Sequence, residues 1–479
     1  MYRFSRRFKA CMYKKRDIFL TVFLLLLLPV LLVGVSVVRD YSGRALIVIP
    51  ANIVIQADEV TGPLPHTWRT LAQGGEEKGV RMLEPVVDEV SLLEPRYIRI
   101  DHIYDFYDVV SRDARGSLTF SWSGLDQMVC DILQSGAKPF FSLGYMPETM
   151  SNDGTLTGIP RDWNEWELLV QATIERYSGI NTVLCGNAYN QNLDDVYYEV
   201  WNEPDLETFG KWSIHSGKDY KLLYYYSAKG AEKAVNTRQF FLGGPATTAD
   251  YQNWIQLLIK YADAYDLKLD FLSWHHYGTD VDSFANDMHQ VNTWLSGPEY
   301  AAYRSLPRII SEWGFDSNPN PISETNIAAA HTVSAIRYLV EEDLEMAFAF
   351  EIRDGINPSW GILSYTGDPK PRYYGLRLLN VLGRTRVKLE GEGTYVKALA
   401  SRIQKGVSAV VVNYDIENAH TEVVPFTING LQPGLYSLNR EWLNGEKGTV
   451  NVRIDESGQY SELLYMEPNS VVAIELRQI

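Results

Sequence analysis

The stretch "YYEVWNEPDL", Tyr197–Leu206, decides how the chain is read. Its first half has the character of a strand, because Tyr and Val fit a pleated, half-buried surface. Pro204 has no N–H to give a ladder, so the strand stops before it. Glu203 is then the last side chain ahead of a loop, and buried acids are rare unless they are paired or used. A second stretch, "PRIISEWGF" (Pro307–Phe315), sets Glu312 at the end of Arg308-Ile309-Ile310. Two strands thus end in glutamate, 109 residues apart.

Working outward, runs of strand character recur: "RYIRI" (96–100), "KPFFSL" (138–143), "VYYEVW" (196–201), "QFFLGG" (239–244), "DFLSWH" (270–275), "PRIISE" (307–312) and "MAFAFE" (346–351). Amphipathic stretches fall between them, at Val80–Leu93, Trp122–Ser135, Trp163–Ser178, Lys218–Thr237, Asp250–Tyr265 and Glu324–Glu341. Strand and helix alternating in this way predict a parallel sheet with crossover helices. With "HTWRTLA" (66–72) as a weak first strand, eight strands close a (β/α)₈ TIM barrel. An open doubly wound sheet is the alternative, but no GxGxxG or P-loop follows the first strand. After about Gly383, short strands separated by Gly, Asn and Pro turns predict a C-terminal β-sandwich. The early run "ALIVIPANIVIQ" (45–56) is a further strand, expected to join that sandwich.

The 479 residues carry a net charge of −16, unevenly spread. Residues 1–40 hold eight Lys/Arg against two Asp, leaving −22 on the remainder. A body so acidic is a poor partner for nucleic acid, whose binding depends on cations at phosphates. Three cysteines exclude a disulfide framework and leave open whether Cys130 and Cys185 pair. No zinc-ligand spacing is present. Residues 18–38, "IFLTVFLLLLLPVLLVGVSVV", run 21 residues without a charge, long enough at 1.5 Å per residue to span a bilayer core. The run exceeds a signal-peptide core and lacks a clear cleavage site, so a retained anchor is preferred over a secreted, cleaved form. The basic flank at 1–17 is expected to stay cytoplasmic, placing the body outside. The expected organisation is therefore basic segment 1–17, transmembrane anchor 18–38, lead-in 39–61, barrel 62–383 and sandwich 384–479.

In such a barrel the reactive groups stand at the carboxyl ends of the strands. Glu203 and Glu312 would end strands four and seven, on opposite sides of the mouth. Two facing carboxylates suit glycoside hydrolysis: one protonates the leaving oxygen, while the other attacks the anomeric carbon. That division requires environments that push their pKa values apart. A lone strand-end Glu is more often solvated or salt-bridged. The string Asn202-Glu203-Pro204 and the matching context of Glu312 carry the argument against that reading.

Here the sequence resembles the retaining (β/α)₈ glycosidases, and within them glycoside hydrolase family 39. The likeness rests on Asn202-Glu203-Pro204, on "IISEWGF" around Glu312, on His275-His276-Tyr277 and on "FFSLGYMPE" (Phe140–Glu148). It extends to "PLPHTWRTLAQGG" (Pro63–Gly75) and "DPKPRYYGLRLLNVLG" (Asp368–Gly383), covering about residues 45–479. The resemblance implies Glu203 as acid/base and Glu312 as nucleophile. It also implies Asn202 on the sugar 2-hydroxyl, Tyr277 on Glu312, His275 beside the acid/base, and no metal or organic cofactor. One departure stands out. Where xylosidase members end strand two in an Arg-x-His-Gly type of pattern, this chain has Arg99-Ile100-Asp101-His102. The displaced His102 remains a candidate sugar contact, but xylose specificity does not carry over.

Trp313, Tyr145 and Trp360 are candidate stacking walls for sugar rings, with core packing the competing account. Glu351, at the end of strand eight, is expected to pair with Arg353. An acidic-sugar contact by Arg353 is the minor reading. The expectation is a membrane-anchored retaining glycosidase acting on an oligo- or polysaccharide. The alternatives are a surface carbohydrate-binding protein that has lost turnover and a transglycosylase remodelling exopolysaccharide.

Overall fold

The computed structural model describes residues 48–479 other than 75, 76, 216, 343, 345, 358 and 359. The expected span 18–38 and its basic flank lie outside the described residues. Among the described residues no helix is long and apolar enough to cross a membrane.

Eight parallel strands close a barrel: β1 (Thr70–Gln73), β2 (Tyr97–Ile100), β3 (Lys138–Leu143), β4 (Val196–Val200), β5 (Phe240–Thr247), β6 (Phe271–Tyr277), β7 (Arg308–Gly314) and β8 (Met346–Phe350). Closure is made where Ala349 of β8 pairs with Leu71 of β1. The weak first strand is shorter than "HTWRTLA", because Thr67–Arg69 form a 3₁₀ turn before β1 begins. The stretch expected as a helix over 80–93 holds only a turn at Glu84–Val86, with Pro85 near its start, and a short helix, Val87–Ser91. The other crossover helices are longer. Asp162 and Asp219 cap two of them, each accepting from the backbone N–H two residues on.

Side chains alternate along each strand, so every second residue fills the barrel. Tyr97, Phe140, Tyr197, Phe271, Ile309 and Phe348 form that interior cluster. Phe140 stacks on Tyr197 with ring centroids 5.5 Å apart. The residues between them, such as Ile98, Phe141, Tyr198 and Ile310, face the helical layer instead. This apolar plug closes the barrel below the mouth and forces any polar chemistry to its carboxyl end.

Nine strands form one further sheet, in the order Lys447–Ile454, Gly434–Trp442, Val471–Gln478, Gly406–Asn413, Val396–Ile403, Thr385–Glu390, Ile53–Pro63, Glu422–Asn429 and Tyr460–Met466. The sheet folds over on itself as a sandwich. Arg440, near one end of that order, pairs with Glu462 at the other and donates to Tyr460 Oη at 2.9 Å. Ile55, Val411, Phe426, Leu438 and Ile474 are enclosed between the two layers. The early strand Ile53–Pro63 lies inside this sheet, antiparallel to Thr385–Glu390 and parallel to Glu422–Asn429.

Cys130, on the helix Ser123–Gln134, is joined by a disulfide to Cys185, in the loop before β4. The pairing left open by sequence is thus present.

Candidate active site

Strand β4 ends in a sharp change of direction. Trp201 and Glu203 both adopt left-handed backbone, with φ of +73° and +43°. Non-glycine residues cost roughly 1–3 kcal/mol each in such conformations, which persist where the surroundings over-determine them. Here Trp201 is locked into the core by Trp212, whose ring lies 5.3 Å away, and Tyr145, at 5.2 Å. The Glu203 N–H donates to Ala246 O of β5 at 2.9 Å. With Trp201 driven outward, Asn202 and Glu203 are left at the mouth.

Strand β7 reaches the same place by another device. Its pairing with β6 runs Ile310 opposite Trp274 and then Glu312 opposite His275, so Ser311 is an extra residue in the ladder. Simple alternation from the inward Ile309 would turn Glu312 out and Trp313 in. The bulge reverses both. Glu312 faces the mouth, while Trp313 is fully buried and packs edge-on against Phe284 at 5.5 Å. The expectation that Trp313 forms a stacking wall is therefore corrected. Trp313→Ala should cost about 3–5 kcal/mol of stability, in the range for a buried aromatic, and leave KM for substrate unchanged. Chemical denaturation alongside initial-rate kinetics tests this. A large KM rise in a variant of unaltered stability would return Trp313 to the site.

The carboxylates of Glu203 and Glu312 and the His275 imidazole bring one atom each within 4.8 Å of one another. His275 Nδ1 lies 2.9 Å from Glu203 Oε1 and 3.8 Å from Glu312 Oε2. Tyr277 Oη donates to Glu312 Oε1 at 2.5 Å. Arg99 is buried beneath them. It donates to Glu312 Oε2 at 3.3 Å, to Asn202 Oδ1 at 2.7 Å and to Glu199 Oε2 at 2.9 Å. Such a donor set resembles a cation site, but the Arg99 guanidinium already supplies positive charge there.

Burial pushes the Glu312 carboxyl above its ordinary value, and the like charge of Glu203 adds to this. His275, Arg99 and the Tyr277 hydrogen bond pull the other way. Burial alone would lower the His275 pKa, yet the Glu312 and Glu203 carboxylates outweigh it and the ring is raised. For Arg99 too, burial is overcome by Glu199 and Glu312, and the guanidinium stays charged.

These groups open into a cavity of about 700 Å³. Of the residues expected at the site, Asn202, Glu203, Tyr277, Glu312, His102 and Trp360 line it. His275 and Tyr145 do not: His275 stands beside Glu203, the place the resemblance implies for it, and the expectation that Tyr145 forms a stacking wall is corrected. His275 is wholly buried behind Glu203 and positions it. Tyr145 is 2% exposed, because Trp201 and Phe209 cover its ring, and its Oη accepts from Asn202 Nδ2 at 2.9 Å. Aromatic walls come instead from Phe209, Phe350 and Trp360, the last two meeting edge to face at 5.6 Å. Asp101 also lines the cavity, continuing the inward register of Tyr97 and Arg99, and a left-handed His102 (φ +50°) keeps both residues at the mouth. Glu351 accepts from Gln73 Nε2 at 3.4 Å, and the Arg353 guanidinium is given to the carbonyls of Met82 and Tyr365.

A (β/α)₈ barrel with facing glutamates at the ends of its fourth and seventh strands defines a glycosidase. The comparisons give the family. The family model of Glycosyl hydrolases family 39 matches residues 52–414, and the chain belongs to that family. The β-xylosidase of Caldicellulosiruptor saccharolyticus is 27% identical over 374 residues, 70% of this chain and 73% of its own. That of Geobacillus stearothermophilus is 24% identical over 387 residues, 71% and 72% of the two chains. Among solved structures, a monomeric β-xylosidase from Caulobacter crescentus CB15 has a TM-score of 0.74 at 20% identity, covering 90% of this chain and 100% of that one.

Proposed function

We propose that this glycosidase hydrolyses an oligo- or polysaccharide with retention of configuration, using Glu203 as acid/base and Glu312 as nucleophile. The observation that carries the reading is the approach of the two carboxylates within 4.8 Å across the cavity. That figure is an oxygen-to-oxygen approach; one so short favours the retaining spacing, about 5–5.5 Å between carboxyl groups, over the inverting one of about 6.5–9.5 Å that admits a water. Glu312 attacks the anomeric carbon as Glu203 delivers its proton to the leaving oxygen, and a glycosyl ester forms on Glu312. Glu203 then takes a proton from water, which attacks the ester from the opposite face and regenerates the site. When Glu312 ionises to attack, Arg99 and Tyr277 donate to its two oxygens and hold the charge, against the burial that raises its pKa. Asn202, clamped between Arg99 and Tyr145, presents its amide beside the nucleophile for a sugar hydroxyl.

The test is the anomeric form first released from a panel of aryl glycosides and polysaccharides, followed by proton NMR. Retention supports the assignment, and first release of the inverted anomer overturns it. The pH profile gives a second check. Glu312 must be ionised to attack, so kcat/KM falls on the acid side as it protonates. Tyr277→Phe removes a donor to the ionised form, which raises the Glu312 pKa. The acid limb should move to higher pH, with kcat/KM down about tenfold or more, as for loss of a hydrogen bond to a charged group. A limb that stays in place would show that Tyr277 does not act through Glu312.

The enzyme works outside the cell, held at the membrane by residues 18–38. Support comes from 21 uncharged residues beside a basic flank and from a disulfide, a bond favoured in oxidising compartments. Cell fractionation tests it: the full-length chain stays with membranes, and a shortened soluble product as the main form would sink the anchor.

A further inference from the structure

Arg99 divides its guanidinium unequally between two acids. Its Nε and Nη2 reach Glu199 Oε2 at 2.9 and 2.8 Å, whereas a single longer contact, Nη1 to Glu312 Oε2 at 3.3 Å, touches the nucleophile. Glu199 lies on β4 two residues past Tyr197, and so in the layer just above the aromatic plug. It has no exposed surface, so it cannot touch substrate. A buried carboxylate is costly unless it is paired, and here the pairing bears on the reaction. As Glu312 attacks, the negative charge passes from it to Glu203, which gives its proton to the leaving oxygen. Arg99 then faces an uncharged ester, and Glu199 remains as its counter-ion. With Glu199 neutral, the guanidinium would turn to Glu312, stabilise the resting carboxylate and lose that partner in the ester. An interaction stronger in the ground state than in the transition state slows the step.

We propose that Glu199 is a positioning residue for the nucleophile: it holds Arg99 back and takes up its charge, which leaves Glu312 reactive. The proposal rests on the glycosidase reading and adds to it a residue outside the cavity. Other groups also act on Glu312: Glu203 of β4, and His275 and Tyr277 of β6. Asp101 of β2 acts on Arg99, and Glu351 of β8 acts on Tyr277. All of these are kept when Glu199 alone is changed. Removing a negative charge beside a carboxyl, and freeing a cation toward it, both lower its pKa. Glu199→Gln should therefore move the acid limb of kcat/KM to lower pH, the opposite direction to Tyr277→Phe.

The full chain, Glu199→Gln and Glu199→Asp are assayed across pH on an aryl glycoside that the parent cleaves. Glu199→Gln should shift the acid limb down by about one pH unit or more, as for the loss of a neighbouring charge. Its kcat should fall about tenfold at the optimum, with KM little changed. Glu199→Asp keeps the charge but draws it back about one bond from Arg99, so it should shift the limb the same way by less and lose less rate. It also serves as the readable variant if circular dichroism shows Glu199→Gln unfolded. A merely structural role would lower stability in both and leave the limb in place. A limb that stays put in every folded variant, or moves to higher pH, overturns the proposal. A readout free of turnover is carbon-13 NMR of glutamate carboxyls in the full chain in detergent, with the Glu312 signal assigned from Glu312→Gln. A Glu312 carboxyl that titrates lower in the Glu199 variants supports the inference even if no glycoside is cleaved, an outcome that would bring down the hydrolase reading alone. A Glu312 titration that does not fall overturns the inference whatever the turnover.

Discussion

Glu312→Ala should lower kcat by about 10⁴-fold or more on every substrate, the scale seen when a covalent nucleophile is removed. The bond-forming atom is lost, and nothing nearby replaces it: Glu203 approaches the other side of the glycosidic bond, and His275 is buried behind it. The fold should survive, because Arg99 keeps Glu199 and Asn202 as partners. Glu312→Asp tests position separately. It retains the charge but draws it back by about one bond, and a displacement of about 1 Å can cost 10²-fold. Circular dichroism of each variant alongside its rates is the check. A kcat within tenfold of the parent for a folded Glu312→Ala would remove Glu312 from the reaction.

The second large effect depends on the leaving group. Glu203→Ala removes the proton donor, so glycosides with poor leaving groups should slow about 10²–10⁴-fold. An activated aryl glycoside departs without that proton, so the glycosyl ester on Glu312 should form in a burst and then persist, because water lacks its base. Azide is a nucleophile that needs no base, and it should restore turnover and give a glycosyl azide of retained configuration. No burst and no azide product would show that Glu203 is not the acid/base.

Much of this was legible in the chain, and what was hidden has physical causes. The barrel strands read directly, because their apolar runs are interrupted by turn residues at a regular spacing. Glu203 and Glu312 were found through the strings around them, "WNEP" and "SEWGF". Their orientation was not legible. It depends on Ser311 as an extra residue in β7 and on a left-handed Trp201, and neither has a composition signal. The same blindness placed Trp313 in the cavity. Arg99 and Glu199 carry a signal in their parity: each lies two residues past an inward aromatic, Tyr97 and Tyr197, which turns both side chains into the barrel. Phe209 had none, since its place depends on the path of the loop after β4.

The position of Ile53–Pro63 has a consequence for synthesis. Val54 pairs with Glu390, so an inner strand of the sandwich emerges roughly 330 residues before its neighbour. At about 5–20 residues per second, it waits on the order of 15–65 s with its edges exposed to any other extended segment. The barrel is in effect an insertion between the first strand of the sandwich and the rest. The last barrel strand, Met346–Phe350, is made before every later strand of the sandwich, which cannot close until Glu422–Asn429 and Tyr460–Met466 arrive. Chains arrested after the barrel should therefore hold a finished catalytic cavity above an unpartnered strand, and limited proteolysis of such arrested chains should cut first within residues 53–63.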